Sequence, residues 1–194
     1  LRAKHTYNKR ENTDDTEIAR GLLSKAIELD NNLLNAKLLL GSTYLNMGDF
    51  DKSMEIFSGV LEQSEELGNK NGIGQSLNSI GIIYANRGEY DQTLNYFSRS
   101  LKIFEELGVK NGIGTSLNNI GALYRRKGEY DQALDYFSQS LKIREELGDK
   151  NGIASSLNNM GLIHWGKGEL DQALDYFSRA LEIVEELGNK RGIG

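Results

Sequence analysis

The feature that most constrains the fold is an internal repeat with a fixed period of 40 residues. The segment at 116–121, Ser-Leu-Asn-Asn-Ile-Gly, returns with one substitution at 76–81 and again at 156–161. The units 71–110 and 111–150 are identical at 28 of 40 positions, which makes chance similarity implausible. A period of this length is typical of a solenoid, in which each unit packs only on its neighbours.

Each unit divides into two helical patterns joined by a glycine turn. In the unit 111–150 the apolar stripes of the two helices are formed by Leu117, Ile120, Gly121 and Tyr124, then by Ala133, Leu134, Phe137, Leu141 and Ile143. Gly128 suits the left-handed conformation that a helix end requires, Asp131 stands where an N-cap belongs, and Gly148 should end the second helix. Gly121 and Ala133 should allow two backbones to approach each other. Because two helices cannot bury both stripes between themselves, the units are expected to stack end to end.

The residues that precede the first helix of each unit differ in their capping ability. Asn69, Asp149 and Asn189 can each accept a hydrogen bond from the free N–H groups of the helix that follows. Val109 at the equivalent place cannot. We therefore predict that the junction at Val109 is less stable, by roughly 1 kcal/mol.

The whole chain is expected to be a single array. It divides into a degenerate unit at 1–30, full units at 31–70, 71–110, 111–150 and 151–190, and the start of a further unit at 191–194. Because the chain begins without Met and ends on the opening residues of a unit, we expect a fragment of a longer array.

The first unit departs from the regular period. We expect a helix there that is capped by Thr13, Asp14 or Asp15. A polar connection at 10–13 should precede this helix, and a remnant of a partner helix should occupy 1–9.

The spacing of these residues resembles a known repeat family. The pattern Leu117, Gly121, Tyr124, Gly128, Tyr130, Ala133 and Phe137 resembles the tetratricopeptide repeat (TPR), a helix–turn–helix unit usually of 34 residues. The longer units are similar to the 40-residue repeats of kinesin light chains and of GoLoco-containing spindle-orientation adaptors. The resemblance implies an all-α fold, a right-handed solenoid of antiparallel helix pairs with about five repeats. The proline that usually closes each unit is missing, and His164 and Leu170 replace tyrosines.

Composition narrows the classes of function. The net charge of −5 argues against a nucleic-acid partner, and no apolar run approaches the length of a membrane span. Cysteine is absent, which removes thiolate nucleophiles and the usual structural zinc sites, and fits a cytoplasmic location. No nucleophile–base pair or metal-ligand cluster is recognisable, so we expect neither catalysis nor a cofactor.

In the family that the chain resembles, the first helices line a concave groove that binds peptides. The resemblance implies that an extended peptide is bound here, with amide side chains pairing with its backbone. The asparagines in this position are Asn78, Asn118, Asn119, Asn158 and Asn159. Asparagine is a mediocre helix former, which favours a functional reason for its repetition. The alternative is that recent duplication copied a neutral polar residue.

Beside the asparagines, near-identical units diverge toward residue types that often anchor a binding partner. Arg125 and Arg126 replace Ala85 and Asn86 of the preceding unit, and Trp165 follows one unit later. We interpret these three as specificity anchors for a peptide that carries an acidic residue next to an apolar one. The alternative is a solvated basic patch and a tryptophan that packs on a neighbouring helix.

Two further functions remain open at this stage. Interrupted repeats at the ends of the chain could stack head to tail on another copy. Alternatively, the array could be the regulatory or sensory arm of a larger signalling enzyme, such as a nucleotide cyclase or a kinase.

Among the remaining residues, His164 is interpreted as a core substitute for tyrosine, and the pair Glu145-Glu146 as a solvated face. Asn71-Gly72-Ile73-Gly74 is interpreted as a site of close helix packing, since no strand precedes it.

Overall fold

The computed structural model describes the backbone of residues 2–191 and the side chains of residues 15–188. This part of the chain is helical, with no strand. Its helices are α1 (Arg2–Leu29), α2 (Leu34–Asn46), α3 (Phe50–Glu66), α4 (Lys70–Arg87), α5 (Tyr90–Leu107), α6 (Lys110–Lys127), α7 (Tyr130–Leu147), α8 (Lys150–Lys167) and α9 (Leu170–Arg191).

Consecutive helices pack on each other, most extensively α4 with α5, α6 with α7 and α8 with α9. The first helices of the pairs, α2, α4, α6 and α8, also contact one another in order. Among the described residues, the second helices α3, α5, α7 and α9 make no such contacts. The array is therefore curved with the first helices on its inner side, and the prediction of an all-α solenoid of helix pairs is confirmed.

The core lies between successive helix pairs. One cluster joins Phe57 of α3 to Ile80 and Ile83 of α4, and these side chains are at most 2% exposed. A second cluster joins Ala133 and Phe137 of α7 to residues of α8 in the same way. Because each cluster spans two helix pairs, burial of these side chains stabilises the stacking of neighbouring units.

The glycine turns occur as predicted, but one predicted cap is wrong. Gly128 and Gly148 follow α6 and α7 with φ of 79° and 64°, the left-handed region that favours glycine. Asp131 is not an N-cap, because α7 already begins at Tyr130 and Glu129 occupies the capping position. Asp131 lies instead in the first turn, where its charge suits the helix dipole and where Lys167 Nζ approaches to 3.2 Å.

The helix junctions differ in capping as predicted for three of the four residues. Asn69 and Asp149 accept hydrogen bonds from the backbone N–H groups of Gly72 and Gly152, each at 3.0 Å. Val109 makes no side-chain cap. The side chain of Asn189 lies outside the described part, and α9 continues past this residue to Arg191.

One local prediction is wrong. The first unit is not a helix pair with a break at 10–13, since α1 runs unbroken from Arg2 to Leu29. No glycine or proline occurs at 10–13 to interrupt it. At Gly121, a Cβ would lie 2.9 Å from the ring of Phe137, so the glycine makes room for that ring.

The predicted further unit at 191–194 begins at the last described residue, and 192–194 lie outside the described residues.

Candidate peptide-binding groove

The inner surface of the array is formed by α2, α4, α6 and α8. The structure places every residue of the predicted site on three of these helices: Asn78 on α4, Asn118, Asn119, Arg125 and Arg126 on α6, and Asn158, Asn159 and Trp165 on α8. We call this surface the inner groove.

The asparagines are linked across neighbouring helices, which the sequence did not suggest. Asn119 Nδ2 donates to Asn78 Oδ1 at 2.9 Å, and Asn159 Nδ2 donates to Asn118 Oδ1 at 3.2 Å. These bonds tie α6 to α4 and α8 to α6, so the repeated asparagines contribute to the stacking of units. Asn158 is exposed, and its side chain makes no hydrogen bond within the described part of the chain.

The same bonds decide what each amide can offer to a ligand. Asn78 and Asn118 use their carbonyl oxygens on a neighbour, so their NH2 groups remain as donors. Asn119 and Asn159 use one N–H each, so their oxygens remain as acceptors. The asparagines of the groove therefore offer both donors and acceptors to a ligand. The backbone of an extended peptide needs both kinds of group.

Arg125 and Trp165 occupy the same repeat position in α6 and α8. The Nε of Arg125 is buried and has no hydrogen-bond partner among the described residues, and no carboxylate there pairs with its guanidinium. Trp165 is 63% exposed. Arg126 differs, because its Nη1 donates to the carbonyl oxygen of Ala85 at 2.9 Å, near the C-terminal end of α4.

A cleft of about 410 Å³ opens at the other side of the groove, near the N-terminal ends of α4 and α6. We call it the inner cleft, and its principal lining residues are Leu39 of α2, Gln75 and Asn78 of α4, Phe104 of α5, and Asn111 and Thr115 of α6. Leu39 is 56% exposed. Sequence reasoning did not place Leu39, Phe104 or Asn111 in the groove, and Leu39 belongs to the first full unit, which is only a faint copy of the others.

Arg144 is a buried cation that sequence reasoning missed. It is 8% exposed and forms an ion pair with Asp149 at 2.7 Å. Its guanidinium also donates to Thr115 Oγ1 at 2.6 Å and to Asn111 Oδ1. The signal was available, because the nearly identical unit before it has Phe104 at this position. The bonds of Arg144 form a polar network with Asn111 and Thr115, two of the residues that line the inner cleft.

Buried serines form a second polar row. Ser100 Oγ lies 3.2 Å from Ser116 Oγ, and Ser140 Oγ lies 3.4 Å from Ser156 Oγ. The equivalent partner of Ser76 is Val60, which has no hydroxyl, so Ser76 Oγ remains without a hydrogen-bond partner. This row is covered by core side chains and cannot reach a ligand.

The surface charges act mainly as links between helices. The hydrogen bond that Lys110 donates to Glu146 at 2.8 Å lowers the pKa of that carboxyl. Glu145 and Glu146 are exposed, as predicted, but Glu146 ties α7 to the start of α6 in addition. The hydrogen bond to Glu129 raises the pKa of Lys127. Neither group faces the inner cleft.

The remaining sequence candidates are structural. His164 stacks on Tyr176 with ring centroids 5.2 Å apart, as Tyr124 stacks on Tyr136, which supports its interpretation as a tyrosine substitute. A Cβ on Gly72 would lie 2.4 Å from Ser64 Oγ, and this supports the packing interpretation of 71–74. The described residues hold no group of three or more His, Cys, Asp or Glu that could bind a metal ion.

Comparison with known proteins agrees with this architecture. The family model for the tetratricopeptide repeat matches residues 32–106 and 112–186, which is most of the chain. The chain therefore belongs to the tetratricopeptide repeat family. Proteins of this family are generally non-catalytic scaffolds for protein interactions. No curated protein matches the chain.

Solved structures share the fold at low sequence identity. The crystal structure of BtubC (BKLC) from P. vanneervenii is 22% identical, with a TM-score of 0.73 over 92% of this chain and 77% of that one. The TPR-like repeats of a putative kinesin light chain from Podosopora anserina are 14% identical, with a TM-score of 0.65 over 97% and 96%. The Rap conjugation gene regulator of plasmid pLS20, solved with a Phr peptide, is 20% identical, with a TM-score of 0.68 over 77% and 42%.

None of the described helices is both long enough and apolar enough to cross a membrane.

Proposed function

We propose that this chain is a non-catalytic scaffold that binds an extended segment of a partner protein in the inner groove. The observation that carries the proposal is the pair of unengaged anchors at one repeat position. The guanidinium of Arg125 pairs with no carboxylate among the described residues, and Trp165 leaves 63% of its surface exposed. A carboxylate on the partner would pair with the guanidinium, and an adjacent apolar side chain would cover the tryptophan.

The asparagines supply sequence-independent contacts to the peptide backbone. Asn78 and Asn118 present donors, whereas Asn119 and Asn159 present acceptors. Each such hydrogen bond contributes roughly 1 kcal/mol, so four contribute about 4 kcal/mol. Micromolar affinity requires about 8 kcal/mol. The anchors at Arg125 and Trp165, with the remaining N–H groups of Arg126 beside them, must therefore supply the rest.

The similarity to a peptide-bound structure supports the same proposal. The Rap regulator of plasmid pLS20 was solved in complex with a Phr peptide, so an array of this fold can hold a peptide. The match covers 42% of that protein at 20% sequence identity, so it supports the shared fold and does not indicate which peptide this chain binds.

Selection from a display library of random short peptides, followed by fluorescence anisotropy with the selected binders, tests the proposal. We expect Arg125→Ala and Trp165→Ala each to weaken binding by at least about tenfold, the loss of roughly 1.4 kcal/mol. Lys142→Ala on α7 and Leu174→Ala on α9 are matched controls outside the groove, since Lys142 is exposed and Leu174 has the 63% exposure of Trp165. Equal affinities for groove and control variants would show that the proposal is wrong.

Head-to-tail self-association is a second candidate, favoured by the face of α9 that no helix pair covers among the described residues. Leu181 and Val184 are 56% and 54% exposed there, beside a cleft of about 640 Å³. The equivalent Leu141 and Arg144 of α7 are covered by the next helix pair. We expect Leu181→Glu to abolish any concentration-dependent rise in mass by light scattering. A monomer at all concentrations would exclude this candidate. A role as the arm of a signalling enzyme stays a prediction.

A further inference from the structure

The inner cleft is uncharged, although the chain around it is not. None of its thirteen lining residues carries a charge, whereas 26% of the residues in the chain are charged. Arg125 and Arg126 lie at the opposite end of α6 and do not line this cleft. The inner groove therefore has two chemically distinct parts, a neutral cleft at one side and a cationic, aromatic part at the other.

The surface of the inner cleft favours an apolar side chain held between peptide carbonyls. Phe104 and the exposed Leu39 provide the apolar contacts. Asn111 gives its oxygen to Arg144, and since arginine can only donate, the amide orientation is fixed with its NH2 group left over. Asn78 likewise has a free NH2 group. The nearby Arg144 is already paired with Asp149, so a carboxylate placed here would lose water without gaining an unpaired cation, which is costly.

Along the axis of α6, the rise of the helix sets the separation between the two parts. Thr115 lines the inner cleft, and Arg125 stands ten positions later in α6. At a rise of 1.5 Å per residue, this separation is about 15 Å along the helix axis. An extended peptide advances about 3.3 Å per residue and covers that distance in four or five residues.

We infer that the partner segment carries two anchors, an uncharged apolar side chain for the inner cleft and a carboxylate for Arg125, about four or five residues apart. The inference rests on the proposed function and names the chemistry of its ligand. The volume of about 410 Å³ lies within the range of about 300–1,000 Å³ that is usual for ligand sites.

Synthetic peptides with a controlled spacing test the inference on the chain of 194 residues. The probes are acetylated and amidated Ser/Thr peptides with one leucine and one aspartate, in both orders, at separations from adjacent to eight residues. Titration of ¹⁵N-labelled protein, followed by chemical shifts, reaches millimolar dissociation constants. We expect one order to bind about tenfold more tightly at a separation of four or five residues than at either extreme.

Two variants separate the two anchors. Leu39→Asp should remove the dependence on the leucine and on spacing, while replacement of the peptide aspartate by asparagine still weakens binding. Arg125→Ala should produce the reverse pattern. Leu67→Asp is the matched control, since Leu67 is 59% exposed and does not line the inner cleft.

The outcomes distinguish this inference from the proposed function. Affinity that is independent of spacing, or unchanged by Leu39→Asp, overturns the two-anchor inference and leaves groove binding intact. Tighter binding of a peptide with aspartate at both positions also overturns it, because the cleft would then accept a charge. If no probe binds and the display library yields no groove binder, both proposals are wrong.

Discussion

The first junction, between units 71–110 and 111–150, and the second junction, between units 111–150 and 151–190, bury side chains of opposite character. The two side chains occupy the same repeat position. Phe104 is 4% exposed and fills the first junction, where Cβ atoms on Gly74 or Gly112 would collide with its ring. Arg144 is 8% exposed and fills the second, where a Cβ on Gly114 would lie 3.0 Å from its Nε. The small residues that make room are the same, and only the side chain that occupies the space has changed.

A second substitution accompanies the first. Val109 follows Phe104 at the position where Asp149 follows Arg144. Asp149 forms the ion pair with Arg144 and also caps α8, whereas Val109 does neither for α6. The comparison shows that a pair of coupled residues decides whether a junction is apolar or polar. A polar junction can fix which unit stacks on which, since a buried cation tolerates few neighbours.

The largest expected effect comes from Asp149→Val. It leaves Arg144 buried without its carboxylate and removes the N-cap of α8, so we expect a loss of about 3–4 kcal/mol in the free energy of unfolding. Hydrogen exchange of the amides of α8 measures the loss where it occurs, because stability in a repeat array is local.

Asn69→Val is the matched control for this prediction. Asn69 caps α4 through Gly72 as Asp149 caps α8, but the residue five positions before it is Ser64 and not a cation. The control should cost only the cap, about 1 kcal/mol. Equal losses in the two variants would show that the ion pair contributes nothing to the second junction.

Converting the polar junction into a copy of the apolar one gives a smaller effect. The double variant Arg144→Phe/Asp149→Val recreates the pair Phe104/Val109, and we expect its stability to fall within about 1 kcal/mol of the parent. The coupling energy between the two sites should then be about 2 kcal/mol or more. Urea denaturation of the parent, both single variants and the double variant measures it. Additive losses would mean that the two residues act independently.

These junctions also explain what the sequence could predict and what it could not. The helix pairs and the turns at Gly128 and Gly148 follow from the spacing of apolar residues and glycines within each unit, so the sequence was sufficient to predict them. The bond between Asn78 and Asn119 links residues 41 positions apart and requires the stacking geometry. The pattern was therefore enough to predict that the asparagines lie on first helices, but not that they bond to one another, and their role in binding stays a prediction.

Arg144 was missed for a different reason. A charged residue in an amphipathic helix is normally assigned to the solvated face, because burial of an unpaired cation is costly. Only the simultaneous change from Phe104 and Val109 to Arg144 and Asp149, between units that are otherwise nearly identical, signals a buried pair. A comparison of the positions at which the two units differ would have found the buried ion pair of Arg144 and Asp149. The break predicted at 10–13 failed because polar composition alone does not end a helix.

The smallest expected effect adds the missing cap to the apolar junction. Val109→Asn gives α6 the side chain that Asn69 provides for α4, with an oxygen that can accept from the backbone N–H of Gly112. We expect a gain of about 1 kcal/mol, seen as slower hydrogen exchange in the first turn of α6. Val109→Ala is the control, since it removes the same methyl groups without supplying an acceptor. If both variants exchange alike, the difference between the junctions lies entirely in the pair Phe104 and Arg144, and capping does not contribute to it.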